Sequence, residues 1–338
     1  MTGATRGCSV GRVERPLAEE RPTTSFRVLI AGGGVAALEA LLALRALAGN
    51  RVDAHLFAPD PVFRYRPLSV TEPFALGTPR NLDLAEITLG LGATFLHDAL
   101  AAVDAERQRV TTSAGRELDY DALLIAVGAR AGVTIPGAVA FWDSADRGAF
   151  GELLGELEHG AVKRLVFAVP SDVSWPLGLY ELALLSRARA RELGLEDVEL
   201  TLVTPESRPM SVFGERASTV VGELMSAAGV TLRLSAKPTG FVNGKLAIEG
   251  QPAIACDRVV SLPVPEVAPI AGTPQDHDGF LPVDRFGGVL GLEHVYAAGD
   301  ATQFPIKQGG IATQAADSAA SAIAALAGAA VEPQPFQP

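Results

Sequence analysis

The sequence predicts an α/β protein with two parallel-sheet domains, the second inserted in the first. One observation is a strand–helix–strand pattern that starts at Phe26 and starts again at Lys163. Another is composition: the chain has 338 residues, 48% of them hydrophobic and only 6% aromatic. That is enough apolar material for two cores, in which small side chains let helices approach a parallel sheet.

The first unit begins with a short β-rich run at residues 26–31. Gly32-Gly33-Gly34 follows this strand, and the next residues, 35–47, predict a helix. A second strand at 52–57 completes the unit, and the right-handed crossover makes the two strands parallel. Residues 123–127 predict a further buried strand that ends at a glycine.

The second unit repeats this order and is followed by smaller elements. Its predicted elements are a strand at 164–169, a helix at 177–191, a strand at 199–203, a helix at 210–228, short strands with an Asn243-Gly244 hairpin within 230–260, a last strand at 295–298 and a terminal helix at 309–327. The expected domains are 26–142 with 270–330, and 143–269 as the insertion, with tails at 1–25 and 331–338.

The glycine turn after the first strand carries the strongest functional motif. Gly32, Gly34 and Ala37 fit the pattern G-x-G-x-x-G/A, directly after a strand and at the start of a helix. The first glycine permits a sharp turn, and Gly34 lets a pyrophosphate approach the backbone N–H groups of the helix N-terminus. The strand and helix on either side favour this interpretation over a turn without a ligand. The predicted fold class is therefore two Rossmann-like dinucleotide-binding domains.

The end of the second strand lacks the acidic residue that would hold an adenosine ribose. That residue is expected near position 58, where the chain has Ala58. Asp60, which follows Pro59, is the nearest carboxylate and would reach the ribose only if the loop bends back. The sequence leaves both arrangements open.

A family resemblance rests on the glycine turn and on three further segments, which are residues 120–128, 295–301 and 307–312. Together with the glycine turn they resemble the two-dinucleotide-domain flavoproteins of the pyridine nucleotide-disulfide oxidoreductase superfamily. The stretch 63–68, Phe-Arg-Tyr-Arg-Pro-Leu, and the terminal helix are most similar to type II NADH dehydrogenases and sulfide:quinone oxidoreductases. This resemblance implies FAD as the cofactor, with Asp300 hydrogen-bonded to its ribityl chain.

The same resemblance implies positions for the other cofactor-binding residues. Leu100 would lie near the adenine, and Gly310 and Ile311 would direct helix N-terminal N–H groups at the flavin pyrimidine edge. Lys307 would add a positive charge there, or it would be an ordinary solvated lysine. The predicted FAD-binding residues are Gly32, Gly34, Val35, Ala36, Ala58, Asp60, Arg66, Leu100, Ala126, Gly128, Gly299, Asp300, Lys307, Gly310 and Ile311.

The second unit departs from the glycine pattern. Ser174, Pro176 and Leu179 stand where three glycines are expected. Pro176 has no N–H to donate, and the bulk of Trp175 would occupy the space that a pyrophosphate needs. We therefore expect an eroded NAD(P)H site. The alternative is that the unusual loop still admits a nicotinamide beside Trp175, Tyr180 and Glu181.

The cysteines and histidines give no catalytic or metal-binding cluster. Cys8 and Cys256 are far apart in the sequence, so a redox-active disulfide is not expected, and sulfide oxidation through cysteine thiolates is disfavoured. The five histidines are scattered singly, which predicts no metal site. Catalytic residues stay unassigned.

Charge and hydropathy restrict the partners. A net charge of −11 disfavours nucleic acid, and no apolar run approaches the roughly 20 residues of a membrane helix. We expect a soluble, cytoplasmic FAD-dependent oxidoreductase with a small-molecule or protein electron donor and acceptor of unknown identity; a homodimer is left open. The alternatives are an NAD(P)H-dependent FAD oxidoreductase resembling NADH dehydrogenase, and a non-catalytic FAD-binding scaffold.

Overall fold

The computed structural model describes residues 25–77, 80–142, 147–171, 173 and 175–338. In chain order the strands are β1 (Phe26–Ala31), β2 (Val52–Ala58), β3 (Val62–Arg64), β4 (Asn81–Asp83), β5 (Thr94–His97), β6 (Leu100–Asp104), β7 (Arg109–Thr112), β8 (Glu117–Asp119), β9 (Ala122–Ile125), β10 (Arg130–Ala131), β11 (Val139–Ala140), β12 (Arg164–Ala168), β13 (Glu199–Val203), β14 (Val230–Arg233), β15 (Pro238–Val242), β16 (Lys245–Ile248), β17 (Gln251–Ala255), β18 (Arg258–Ser261), β19 (Pro265–Glu266) and β20 (Val295–Ala297). The helices are α1 (Val35–Ala48), α2 (Leu84–Gly90), α3 (Arg147–Glu158), α4 (Leu177–Glu192), α5 (Glu215–Ala228) and α6 (Gly309–Leu326).

The first sheet has the strand order β20-β9-β1-β2-β5, and all its neighbours are parallel. Helices α1 and α6 pack against each other and against this sheet. The contact is made largely by alanines with no exposed surface, among them Ala37, Ala40, Ala316 and Ala320. Small side chains let two helices and a sheet approach closely, which is why the alanine-rich terminal helix can lie beside the glycine turn.

The second sheet has the order β11-β18-β12-β13-β14 and is also parallel throughout. Its core contains buried residues from α3, α4 and α5, including Phe150, Leu179 and Met225. Both domains therefore have the parallel α/β architecture that the repeated strand–helix–strand pattern predicts, and the predicted fold class is confirmed.

Antiparallel strands extend both domains. Strands β6, β7 and β8 form a three-stranded sheet in the first domain, and β15, β16 and β17 form one in the second. The predicted hairpin turn is present between β15 and β16, where Asn243 and Gly244 have φ angles of 52° and 72°. Two consecutive positive φ values are those of a type I′ turn.

The chain crosses between the domains along a pair of short antiparallel strands. Strand β10 pairs with β19, and the Gly132 N–H donates to the Val264 carbonyl at 2.9 Å. Val139 and Ala140 already pair with the second sheet. The chain thus joins the second sheet before residue 143, and the domain boundary at that residue stays a prediction.

Two segments differ from the sequence prediction. The helix expected at 210–228 begins only at Glu215, because Met210 has a left-handed φ of 50° and Gly214 a φ of 86°. The C-terminal segment expected as a tail is anchored: Ser318 Oγ donates to the Gln334 carbonyl at 2.6 Å, and the Gln334 N–H donates to Ser321 Oγ at 2.9 Å. The N-terminal tail prediction, with Cys8, concerns residues that lie almost wholly outside the described part of the chain.

Candidate functional site

The turn after β1 can be formed only with glycine at its first position. Gly32 has a φ of 131°, and a Cβ atom there would lie 2.0 Å from the Ala126 carbonyl oxygen. The Gly32 N–H donates to the Phe57 carbonyl at 2.8 Å. The turn is thus fixed between the two strands that flank β1, as the motif predicts.

The N-terminus of α1 opens into free space. Gly34 is its N-cap, no side chain caps it, and a Cβ atom at Gly34 would have no heavy atom within 4 Å. The N–H groups of Val35 and Ala36 belong to the first turn, which has no intrahelical acceptors. Gly33, in contrast, packs tightly, because a Cβ atom there would lie 2.6 Å from Leu84 Cδ1. An exposed, uncapped helix N-terminus of this kind fits a phosphate.

The end of β2 carries Ala58, as the sequence indicated, and Asp60 is engaged within its own loop. Ala58 is buried. One Asp60 carboxylate oxygen accepts the Val62 N–H at 3.0 Å, and the other is hydrogen-bonded to Arg64. Both oxygens are therefore used by residues 60–64, and contact of Asp60 with a ribose stays a prediction.

The turn after β20 lies between the first turns of two helices. Gly299 has a φ of 75°, and a Cβ atom there would be 3.0 Å from Ala36 Cβ and 3.6 Å from Ala312 Cβ. The next residue, Asp300, is half-buried. Burial raises the pKa of Asp300, while the positive charges of Arg66 and Lys307 oppose this shift. Asp300 therefore directly follows a glycine that lies against the first turns of α1 and α6.

Lys307 is held in a defined environment, which differs from the solvated alternative. Its ammonium donates to the Thr302 carbonyl at 2.6 Å and lies 3.7 Å from the centroid of the Phe280 ring. Burial lowers the pKa of Lys307 to about 8, although the carboxylates of Asp300 and Asp276 act in the opposite direction. The ammonium is therefore mostly charged at neutral pH and loses its charge in mildly alkaline solution.

The N-terminus of α6 is arranged differently from the expectation. Gln308 is its N-cap, and its side-chain oxygen accepts the Ile311 N–H at 2.9 Å. The Ile311 N–H therefore has a partner inside the protein and must exchange it to meet a ligand. Gly309 and Gly310 are exposed.

The remaining predicted residues are Ala126, Gly128, Arg66 and Leu100. Ala126 and Gly128 follow β9, Ala126 against Gly32 and Gly128 in open space with a φ of 69°. Arg66 acts electrostatically on Asp300. The structure shows no direct link between Leu100, the first residue of β6, and this cluster. Sequence reasoning missed Trp142, over whose ring the Arg66 guanidinium lies at 4.9 Å.

In the second domain, side chains occupy the region after β12 where the sequence pattern would place glycines. Ser174 lies outside the described residues. Pro176 is the N-cap of α4 and offers no side-chain cap, and Leu179 is completely buried in the core of the second sheet. The Trp175 ring meets the Phe213 ring edge-to-face at 5.0 Å, joining the loops after β12 and β13.

A carboxylate also stands near the end of β13, where Glu206 is half-buried. It accepts the Tyr180 hydroxyl at 2.8 Å and the Thr204 hydroxyl at 3.0 Å. Burial is the main cause of a strongly raised pKa at Tyr180. The Glu206 carboxylate is thus hydrogen-bonded within the protein.

The residues outside these two sites offer no further redox or metal centre in the described part of the chain. Cys256 is buried between β17 and β18, and burial raises the pKa of its thiol, which disfavours the reactive thiolate. No group of three or more His, Cys, Asp or Glu residues among those described could hold a metal ion. In the same residues, no helix is long and apolar enough to cross a membrane.

A model of the family described as pyridine nucleotide-disulphide oxidoreductase matches residues 26–166 and 180–324. The chain belongs to this family. The match confirms the superfamily predicted from the sequence. It is interrupted between residues 166 and 180, the loop in which the expected glycines are missing.

Relatives of the pyridine nucleotide-disulphide oxidoreductase family include two proteins named Ferredoxin–NADP reductase. The protein of Ralstonia pickettii is 30% identical over 217 residues, which are 60% of this chain and 55% of the relative. That of Ralstonia nicotianae is 30% identical over 218 residues, with the same coverage. The chain spans about half the length of the curated relatives it matches.

Solved structures show the same fold. The sulfide:quinone oxidoreductase of Aquifex aeolicus has a TM-score of 0.81 at 19% identity, covering 88% of this chain and 76% of its own. A ferredoxin reductase of Rhodopseudomonas palustris has a TM-score of 0.68 at 20% identity, covering 92% and 78%. NDH2 of Plasmodium falciparum in complex with NADH has a TM-score of 0.67 at 15% identity, and the match covers 82% of this chain and 64% of NDH2.

Proposed function

We propose that this chain is an FAD-dependent oxidoreductase that holds FAD in its first domain. The observation that carries the proposal is the uncapped N-terminus of α1 at Gly34, which opens beside Gly299 and Asp300. When bound, FAD supplies a ring system that accepts and returns electrons, while the protein orients and tunes it.

The residues of the site suit a dianionic cofactor with a hydroxylated chain. The first-turn N–H groups of α1 would bind phosphate oxygens. The Asp300 carboxylate would accept hydrogen bonds from ribityl hydroxyls. The positive charges of Arg66 and Lys307 act on the Asp300 carboxylate and would reduce its repulsion of an anionic cofactor.

Features of the second domain favour an electron donor other than NAD(P)H. A pyrophosphate needs close backbone N–H donors, and one of them is missing at the N-cap of α4 because Pro176 has no N–H. Leu179 fills the core, and Trp175 and Phe213 close the loops. The interruption of the family match in this loop supports the same conclusion. The donor or acceptor would be a small molecule or a redox protein, and the names of the relatives favour a protein of the ferredoxin class.

A second candidate is an NAD(P)H-dependent FAD oxidoreductase. It is favoured by the preserved parallel order of the second sheet and by two relatives named Ferredoxin–NADP reductase. In that case the nicotinamide would enter beside Trp175. A non-catalytic FAD scaffold is the third alternative.

Purification followed by anaerobic reduction tests the proposal. We expect a yellow protein with FAD near a one-to-one ratio, reduced faster by a reduced ferredoxin or a small donor than by NADH or NADPH. A protein that stays colourless and cannot be reconstituted with FAD contradicts the central claim. Flavin that no donor in the panel reduces, although dithionite does, would favour the scaffold.

We also propose that the protein is cytoplasmic and that it forms a homodimer. Cell fractionation checks the first, with the protein expected in the cytosolic fraction. Light scattering on the purified protein checks the second, and a mass near 35.1 kDa would show a monomer instead.

A further inference from the structure

The Arg66 side chain rests on the Trp142 ring. Its guanidinium carbon lies 4.9 Å from the centroid of the indole. Arg66 is exposed and begins a short 3-10 turn whose second residue is Pro67. Trp142 is half-buried and follows β11, where the chain enters the second domain. The contact therefore joins the turn that begins at Arg66 to the segment that follows β11.

Such a contact restricts where the guanidinium can go. A cation over an aromatic face is attracted by the ring quadrupole, most strongly with tryptophan. Proline after Arg66 fixes the backbone at the base of the side chain. A long, flexible arginine is thereby held in a narrow range of positions.

The charge of Arg66 is available to a ligand. Its neighbour Arg64 is paired with Asp60 through a single charge-assisted hydrogen bond. Arg66 makes no ion pair with any residue that the structure describes, and the carboxylate it acts upon is Asp300, at the predicted flavin site. An arginine that is oriented but not paired suits recognition of an anion.

We propose that Trp142 is a positioning residue for FAD binding, which holds the Arg66 guanidinium beside Asp300 so that Arg66 contributes a positive charge to the anionic cofactor. This proposal rests on the proposed function, because it presupposes that FAD binds in the first domain. Trp142 itself acts through Arg66 and need not touch the cofactor.

A double-mutant cycle on FAD affinity tests the coupling. The variants are Arg66→Gln, Trp142→Leu and the double variant, with Trp142→Phe as the conservative replacement that keeps an aromatic face. Arg107→Gln, an exposed arginine on the turn between β6 and β7, is the charge control. Trp175→Leu removes the other tryptophan of the chain and is the control for loss of an indole. The Kd of FAD is measured by titrating apoprotein at several salt concentrations.

We expect Arg66→Gln to weaken FAD binding about tenfold and to reduce its salt dependence, and Trp142→Leu to weaken it about threefold. The double variant should bind FAD no more weakly than Arg66→Gln alone, because the tryptophan then has nothing to position. Trp142→Phe should restore most of the affinity. Both controls should match the wild type.

Three results would overturn the inference: wild-type affinity in Arg66→Gln, additive losses in the double variant, or no recovery in Trp142→Phe. Circular dichroism of each variant shows whether it is folded. If Trp142→Leu does not fold, fluorescence reports the contact instead. The Trp142 emission of Trp175→Phe is then compared with that of the double variant Trp175→Phe, Arg66→Gln, and a change is expected because the guanidinium is lost. Failure of the wild type to bind any FAD would contradict the proposed function rather than this coupling.

Discussion

Gly299 lies so close to Ala36 that a Cβ atom on the glycine would be 3.0 Å from the alanine methyl. Ala36 is in the first turn of α1, whereas Gly299 follows β20, which returns to the first sheet after the inserted domain. The site is thus built by the two ends of a divided domain. It can form only after the chain has come back from the second domain, so folding of the first domain depends on a distant segment.

Gly34→Ala should separate cofactor binding from stability. Gly34 has an extended backbone that any residue adopts, and a methyl group would meet no protein atom within 4 Å. We expect the melting temperature to change by less than about 2 °C and the Kd of FAD to rise about tenfold or more, because the methyl occupies the phosphate approach. Gly90→Ala, at the end of α2 and equally uncrowded, is the control and should leave the Kd of FAD unchanged.

The sequence predicted correctly the features that neighbouring residues determine, and it missed those that depend on contacts with distant parts of the chain. The strand at 26–31 was predicted to the residue, and the Gly32 turn was understood because a glycine pattern and its flanking elements lie in one stretch. The start of α5 was missed, since Met210 adopts a left-handed conformation with its side chain fully buried. Tertiary packing decides that conformation, and no neighbouring residue signals it.

The same limit applies to the candidate site. Phe280 lies in a loop with no motif, and only the fold brings it beneath Lys307. The Gln308 side chain that accepts the Ile311 N–H was not anticipated, because glutamine is not among the preferred N-cap residues. Family resemblance could name Asp300 and Lys307, but the interaction of Asp300 with Arg66 follows only from the fold.

Asp300→Asn should weaken FAD binding about threefold to tenfold, the range expected for losing a charge-assisted hydrogen bond to a ribityl hydroxyl. The amide keeps the size of the side chain, so the fold should be preserved. Asp278→Asn, an exposed position, is the matched control. Titration of both apoproteins with FAD gives the comparison, and equal affinities would mean that the cofactor lies elsewhere.

Lys307 predicts how FAD affinity depends on pH. Because burial lowers the pKa of Lys307 to about 8, its positive charge is present below that pH and is lost as the pH rises through it. The Kd of FAD should therefore increase between pH 7 and pH 9, by about threefold or more. Lys307→Arg keeps the charge over this range and should give a flat profile, whereas Lys307→Met should be flat and uniformly weaker. A wild-type profile without any inflection would contradict a role for this ammonium.

Glu39 on α1 and Asp317 on α6 predict a stability effect outside the site. Burial is the main cause of the raised pKa of Glu39, and the like charge of Asp317 adds to it. A carboxyl group with a raised pKa in the folded state is destabilising while it is ionised, and acidification through that pKa removes the cost. Glu39→Gln should increase the free energy of unfolding at pH 7 by about 0.5 kcal/mol. The gain over wild type should shrink at pH 4.5 in urea titrations, and Glu223→Gln on α5 should show no such gain.

The second domain yields the prediction that best separates the two candidate functions. The loop before α4 presents Pro176 in place of an N–H donor, and Trp175 is fixed against Phe213 where the loops after β12 and β13 meet. NADH and NADPH at micromolar concentration should therefore reduce the flavin more slowly than about 1 per second, below the usual range of enzyme turnover. Anaerobic stopped-flow absorbance measures this rate, with dithionite showing that the flavin is competent. Trp175→Ala should not restore fast reduction, because Pro176 and the buried Leu179 remain. Reduction of the wild type within milliseconds by either nucleotide would establish a working second site and replace the proposed function with the NAD(P)H-dependent candidate.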